Sequence, residues 1–323
     1  MIFIEKKSND PFFNLAAEEY ALKHIADDVL MVWVNEPSLV LGKHQNAMAE
    51  VNHDFVLKEN IPVIRRISGG GTVYHDDGNI NISVITTVEN RERMIDFGKF
   101  AHPLIQFLEG KGLNIAFYDK TNLGVNGRKF SGNAAHVYKN RVLHHGTVLF
   151  NTNLDFLDQT LSPSQARIDD KAVKSVRADI VNLHELLPEN LSFNDFRSEL
   201  KAHLLSYHSI ADARHFTPAE KETISQLATE KYQTNEWNYG YSPAYEHGKS
   251  AHWNGHKIDL HLTVKKGIIV DLRLESEVIP ALLNQKIKEL FIQSPHNPQA
   301  INEKLVALRS TDPPASFFRS LLI

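Results

Sequence analysis

Two arginines run directly into three consecutive glycines at Arg65-Arg66-Ile67-Ser68-Gly69-Gly70-Gly71-Thr72-Val73-Tyr74-His75-Asp76. Glycines let successive backbone N–H groups turn toward an oxyanion, and a neighbouring guanidinium offers a planar fork of donors to carboxylate or phosphate. The stretch reads as an anion-binding loop with Arg66 as the oxyanion partner, and nucleotide chemistry is the first implication. A plain turn between strands is the competing reading, because loop glycines usually serve backbone geometry. Neither common phosphate signature fits. No glycine stands in the G-x-x-x-x-G-K-[ST] register, and a dinucleotide fingerprint needs glycine at position 74, where the chain has Tyr74.

A second constellation runs from Thr121 to His136. Asn126-Gly127 is a hairpin signal that places Lys129 just after the turn, with Phe130 facing the opposite way. A solvated strand lysine is the plain alternative, since lysine is rarely buried unpaired. The small residues Ser131-Gly132-Asn133-Ala134-Ala135 favour a ligand, because they leave room for something to lie against the backbone. His144 and His145 follow on the next strand and point to opposite faces, so they do not readily share a metal. They read as hydrogen-bonded structural groups, with His145 or His75 as candidates for a ligand contact. No H-E-x-x-H, paired-carboxylate or G-x-S-x-G arrangement is present.

These motifs need a scaffold, and the patterning supplies one. Asp10-Pro11 starts a helix over residues 12–26, and a strand pair over 29–34 and 38–41 flanks the turn former Asn35-Glu36-Pro37. A short helix near 54–60 follows. The apolar run 61–64 and the alternating Asn79-Ile80-Asn81-Ile82-Ser83-Val84-Ile85 place the glycine loop between strands. A helix near 94–111 ends at Gly110 and Gly112, and residues 114–151 read as further strands. The aromatic stretch from Glu236 to Pro243 breaks all periodicity. Beyond it, alternation over 258–264 and 270–274 about Lys265-Lys266-Gly267 is a hairpin, with helices near 280–292 and 299–309. The division is therefore a domain over 1–245 and a smaller α+β module over 246–323.

At 323 residues, 42% hydrophobic and 23% charged, the chain is that of a soluble globular protein able to bury a substantial core. A net charge of −4 gives no global field for nucleic acid, so any anion site is local and no nucleic-acid partner is expected. The absence of cysteine excludes disulfides, thiolate ligands and a thiol nucleophile. No apolar stretch has the length of a signal region or a membrane span, so a cytoplasmic protein with no membrane partner is expected.

The motif Arg65-Arg66-x-Ser68-Gly69-Gly70-Gly71-Thr72-Val73-Tyr74-His75-Asp76-x-Gly78-Asn79, then Gly127-Arg128-Lys129-Phe130-Ser131-Gly132, then His144-His145-Gly146-Thr147, resembles the lipoate-protein ligase family. So do Trp33-x-Asn35-x-Pro37-Ser38-x-Val40-x-Gly42-x-x-Gln45-Asn46 upstream, and Lys174 to Arg177 and Trp237 to Pro243 downstream. The resemblance covers nearly the whole chain. It implies an α+β fold of mixed, largely antiparallel sheets flanked by helices, shared with biotin ligases, and a small C-terminal accessory domain. It implies activation of lipoate by ATP with Mg2+, then transfer to a lysine of lipoyl domains of 2-oxoacid dehydrogenase E2 subunits or of the glycine-cleavage H protein.

Carried over by position, Arg66 binds the lipoate carboxylate and then the adenylate phosphate, Gly71, Thr72, Val73 and Tyr74 line the ATP site, and Lys129 is catalytic. Gly70, His75 and Gly132 join Arg66 and Lys129 around lipoate, and an apolar tunnel for the tail is expected near Val40, Gly42 and Gly132. Asn122 stands where the family usually has aspartate, which leaves the metal ligands undefined. Two alternatives follow: a transferase that uses preformed lipoyl-AMP, and a non-catalytic module that binds lipoylated domains. A cysteine-dependent acyltransferase of the same fold is disfavoured because there is no thiol.

Overall fold

The computed structural model describes residues 1–89, 94–161, 166–188, 190–308 and 311–323. The chain forms two compact units, the first made of Met1–Lys43, Pro62–Leu157 and Val176–Gln233. Its six-stranded sheet has the order Asn133–Tyr138, Arg141–Leu149, Asn79–Thr87, Val29–Trp33, Ile2–Ile4 and Ala213–Arg214. The sheet is mixed: Ile2–Ile4 pairs parallel with both neighbours, and the other pairings are antiparallel.

One face of this sheet presents Leu30, Val32, Ile80, Ile82, Val84 and Val148 to the helices Phe97–Glu109 and Phe193–Tyr207, forming the main core. The alternation in Asn79–Thr87 would ordinarily leave its polar face in water. Here Asn79, Asn81 and Ser83 are buried as well. Ser83 donates to Glu18 of the helix Pro11–His24, so the polar face packs inward through hydrogen bonds. That helix begins where Asp10 accepts from the Phe12 N–H and Pro11 takes a first-turn position.

The strands Val29–Trp33 and Ser38–Leu41 do not pair with each other. Ser38–Leu41 lies in a separate three-stranded sheet between Val63–Arg65, parallel, and Val73–His75, antiparallel. The turn between them is an anchor rather than a hairpin loop, because buried Asn35 bonds to both Asn14 and His75. A third small sheet joins Ile115–Phe117, Leu123–Val125 and Arg128–Ser131. Its hairpin turns at Asn126 and Gly127, both at positive φ, as the dipeptide requires.

The second unit comprises His44–Ile61, Asp158–Ser175 and Thr234–Ile323. A four-stranded antiparallel sheet orders Arg167–Asp170, Tyr245–Trp253, His256–Lys265 and Ile268–Ser276, and it packs on helices that include Ala281–Phe291 and Pro298–Leu305. The hairpin at 265–267 is present. The last position of the helix expected over 299–309 lies outside the described residues. Among the described residues, no helix is long and apolar enough to cross a membrane.

Candidate active site

Arg66 leaves the strand Val63–Arg65 with its N–H bonded to the Leu41 carbonyl, which aims its side chain back through its own loop. Nε donates to Ser68 Oγ at 3.0 Å, Nη1 to the Val40 carbonyl at 3.0 Å, and Nη2 to the carbonyls of Gly69 and Gly71. The guanidinium is thus the internal brace of the triple glycine. Gly70 sits at φ +88°, and a Cβ there would stand 3.0 Å from Arg66 Nη2. Glycine is needed at this position for conformation and for space. Burial pushes Arg66 down to about 10, with Glu18 opposing and Arg65 adding, so it remains a cation at neutral pH. Arg65 faces elsewhere and holds the carbonyls of Gly42 and Lys43.

The exit of the loop is equally fixed. Asp76 accepts from the N–H groups of Gly78 and Asn153, and a Cβ on Gly78 would come within 2.0 Å of the Asn151 carbonyl. Gly70 is exposed, Gly69, Gly71 and Val73 are half-buried, and Thr72 and Tyr74 are buried. His75 is buried too, and its hydrogen bonds define its tautomer. Asn35 uses its oxygen to accept from Asn14, so its amide N–H donates to His75 Nδ1 at 2.9 Å. Burial pushes this imidazole down to about 3, with Arg66's charge adding, so its proton sits on Nε2. That N–H has no hydrogen-bond partner among the described residues.

Lys129 lies in Arg128–Ser131, opposite Gly124, and Phe130 beside it is fully buried in the core, as the two-residue period requires. Burial lowers the Lys129 ammonium first and Arg66's charge lowers it further, against the opposing carboxylate of Asp119. Arg66's charge is thus among those that bear on the Lys129 ammonium. Intervening contacts trace the same line: a Cβ on Gly70 would meet Ala134 at 3.9 Å, and one on Gly132 would stand 3.4 Å from Lys129 Nζ. Gly132 N–H donates to Thr147 Oγ1 at 3.1 Å, tying that backbone to the large sheet.

Asn122 accepts from the Asn133 N–H at 3.0 Å and donates from its amide nitrogen to Asp119. Asp119 also accepts from the N–H groups of Thr121 and Asn122. The amide at 122 therefore has a defined job that a carboxylate would perform poorly, since it needs a donor toward Asp119. Among the described residues, no group of three His, Cys, Asp or Glu side chains is placed to hold a metal ion.

The two adjacent histidines divide as strand geometry requires. His144 stacks on Phe100 and accepts from the Asp96 N–H, a structural role. His145 turns to the other face and joins Ser68 to Glu18. The motifs do not reveal Glu18, Ser83 or Lys6, which lie behind the loop. The available signal was Glu18-Glu19 directly after the apolar run Leu15-Ala16-Ala17 of the helix Pro11–His24, where both glutamates are buried. An apolar pocket against the large sheet is lined by Ile82, Val84, Phe100, Leu104 and Val148, with Asn133 and Thr147 at its polar end.

Residues 10–205 match the lipoyl protein ligase A/B catalytic domain, and residues 242–314 match the bacterial lipoate protein ligase C-terminus. A lipoate-protein ligase of Bacillus subtilis is 39% identical over 85% of this chain and 84% of its own. Lipoate–protein ligase 1 of Staphylococcus aureus is 35% identical over 83% of this chain and 82% of its own. A crystal structure of lipoate-protein ligase A bound with ATP superposes with a TM-score of 0.63 at 25% identity, covering 74% of this chain and 98% of that one. On its glycine loop, its lysine hairpin and these matches, the chain belongs to the lipoate-protein ligase family.

Proposed function

We propose that this ligase works in two steps, first joining lipoate to AMP and then passing the lipoyl group to a protein lysine. In the first step a carboxylate oxygen attacks the α-phosphorus of ATP, the new C–O–P bond forms, and pyrophosphate leaves. This brings two anions together, and fixed cations and N–H donors relieve the repulsion. Arg66 holds the carboxylate, Lys129 the carbonyl and α-phosphate oxygens, and the backbone of Gly71, Thr72, Val73 and Tyr74 faces the nucleotide. His75 Nε2–H, a buried donor with no acceptor among the described residues, supplies a further bond toward the acyl group beside Gly70 and Gly132. In the second step the lysine amine attacks the acyl carbon, the amide forms, and AMP departs with the bonding electrons while the amine proton passes to solvent.

One observation carries this reading: Gly70 lies against Arg66 and Ala134, and Gly132 lies against the Lys129 ammonium, so small residues line the way from one cation to the other. A buried guanidinium and a half-buried ammonium, with Gly70, Gly132 and Ala134 between them, suit an anhydride of a carboxylate and a phosphate. Losing one preorganised donor to such a transition state commonly costs roughly 3 kcal/mol. Mg2+ would enter with the nucleotide, taking one or two protein carboxylates at most and mainly phosphate oxygens. The Asp119 carboxylate beside Lys129 is already engaged by Thr121 and Asn122, so it is a poor fit for the ion, which would serve to neutralise the departing pyrophosphate. The acceptors are lipoyl domains of 2-oxoacid dehydrogenase E2 subunits or the glycine-cleavage H protein, in the cytoplasm, with residues 1–245 as the catalytic part and 246–323 as the accessory part.

The test is lipoate-dependent exchange of labelled pyrophosphate into ATP. Exchange supports activation by this chain. No exchange, with intact transfer from synthetic lipoyl-AMP, identifies a transferase instead.

A further inference from the structure

Behind the glycine loop, Glu18, His145, Ser68 and Arg66 form an unbroken chain of hydrogen bonds, and all four are buried. Its polarity follows from chemistry. Glu18 accepts from Ser83 Oγ–H at 2.6 Å, and Ser83 in turn accepts from Trp33 Nε1–H at 2.8 Å. Burial alone would push the Glu18 carboxyl up, but His145, Lys6 and Ser83 hold it below the usual range. A carboxylate only accepts, so the Nδ1 of His145, 3.0 Å away, must donate to it. Ser68 Oγ lies 2.6 Å from Nε2, and with a lone pair on that nitrogen its O–H donates to the ring. The Ser68 oxygen is left as an acceptor, and Arg66 Nε–H fills it at 3.0 Å.

We propose that Glu18, His145 and Ser68 are positioning residues: the buried carboxylate sets the His145 tautomer, the tautomer orients the Ser68 hydroxyl, and the hydroxyl aims the Arg66 guanidinium. The arrangement has the connectivity of a carboxylate–imidazole–hydroxyl triad, but Ser68 is not a nucleophile. Its oxygen already accepts from Arg66, and the residue is 0% exposed. The relay matters because Nη1 and Nη2 hold Val40, Gly69 and Gly71, so a rotation of the guanidinium about Nε would release the glycine loop together with the charge. The kinetic half of the proposal rests on Arg66 acting in lipoate activation. The spectroscopic half does not.

The test combines imidazole nitrogen spectra of the whole protein with pyrophosphate exchange for Glu18→Gln, Ser68→Ala and the double variant. In the wild type, His145 is expected to carry its proton on Nδ1 and none on Nε2; a proton on Nε2 overturns the relay even if exchange is absent. Glu18→Gln is expected to mix the two tautomers. Each single variant is expected to lower kcat/KM for lipoate roughly tenfold to a hundredfold through misplacement of the guanidinium. Since both act through Ser68, the double variant should be no worse than Ser68→Ala alone. Losses that multiply would overturn the relay, and hydrolysis of an acyl ester lost in Ser68→Ala would identify a nucleophile instead. If Glu18→Gln does not fold, the wild-type spectrum and its change in Ser68→Ala decide.

Discussion

At the scale of single residues, the chemistry depends on cations held where they are least comfortable. Lys129 has its ammonium lowered by burial and by Arg66, so in the free protein it is a source of instability that an anionic ligand relieves. Lys129→Met is therefore expected to raise the thermal midpoint of the free protein by ~2 °C while abolishing lipoylation of an acceptor domain. Calorimetry and an acceptor assay read the two effects, and unchanged lipoylation would contradict the role given to the lysine. Asn122→Asp faces Asp119 with a like charge in place of a donor, at a cost of about 1 kcal/mol in denaturant midpoints. Asp119→Asn in the same chain should recover most of it. Arg66 and Lys129 are legible in the sequence because each sits in a pair of cations next to glycine-rich backbone, which is an unusual combination. Glu18 is not, because its partners Ser83 and His145 lie 65 and 127 residues away and only the folded sheet assembles them.

At the scale of elements, the glycine loop is fixed by its two ends and braced from within. Gly78→Ala places a methyl group on the Asn151 carbonyl and is expected to cost more than about 3 kcal/mol, read as a lost cooperative transition or a large shift in midpoint. Gly70→Ala should cost only about 1 kcal/mol, because the strain is local. Its activity should fall much further than its stability, since the new methyl displaces Arg66 Nη2. Equal small losses in both would mean that the loop does not depend on that contact. The strands around these loops were readable from alternation and from Asn126-Gly127. Alternation does not reveal that Val29–Trp33 and Ser38–Leu41 enter different sheets, because a turn former marks a change of direction and not a pairing. The helices Phe193–Tyr207 and Pro218–Leu227 and the terminal helix Ala315–Leu322 have no counterpart in the sequence reading.

At the scale of the whole molecule, both units bury histidines that the fold keeps neutral. Burial pushes His53 and His247 down to about 4 and His296 to about 3 in the second unit, and His75 to about 3 in the first. The unfolded chain binds protons to these rings near 6.5, so below that pH it holds more protons than the folded one. Stability is therefore full above about pH 6.5 and falls as the pH drops toward 4, by up to about 1.4 kcal/mol per pH unit for each such ring. His247 and His296 have a structural use, since their Nε2 atoms hold the carbonyls of Leu321 and Leu322 at the end of the last helix. Replacing His296 by glutamine should flatten the acid limb of a urea-midpoint profile. An unchanged limb would show that these rings are not what makes the fold acid-sensitive.

The most direct measurement of the central claim is a structure of this chain with lipoyl-AMP bound. Arg66 and Lys129 should both lie within about 3.2 Å of oxygens of the acyl-phosphate linkage, with the glycine loop against the nucleotide. An adenylate bound with either side chain turned away from that linkage would contradict the account.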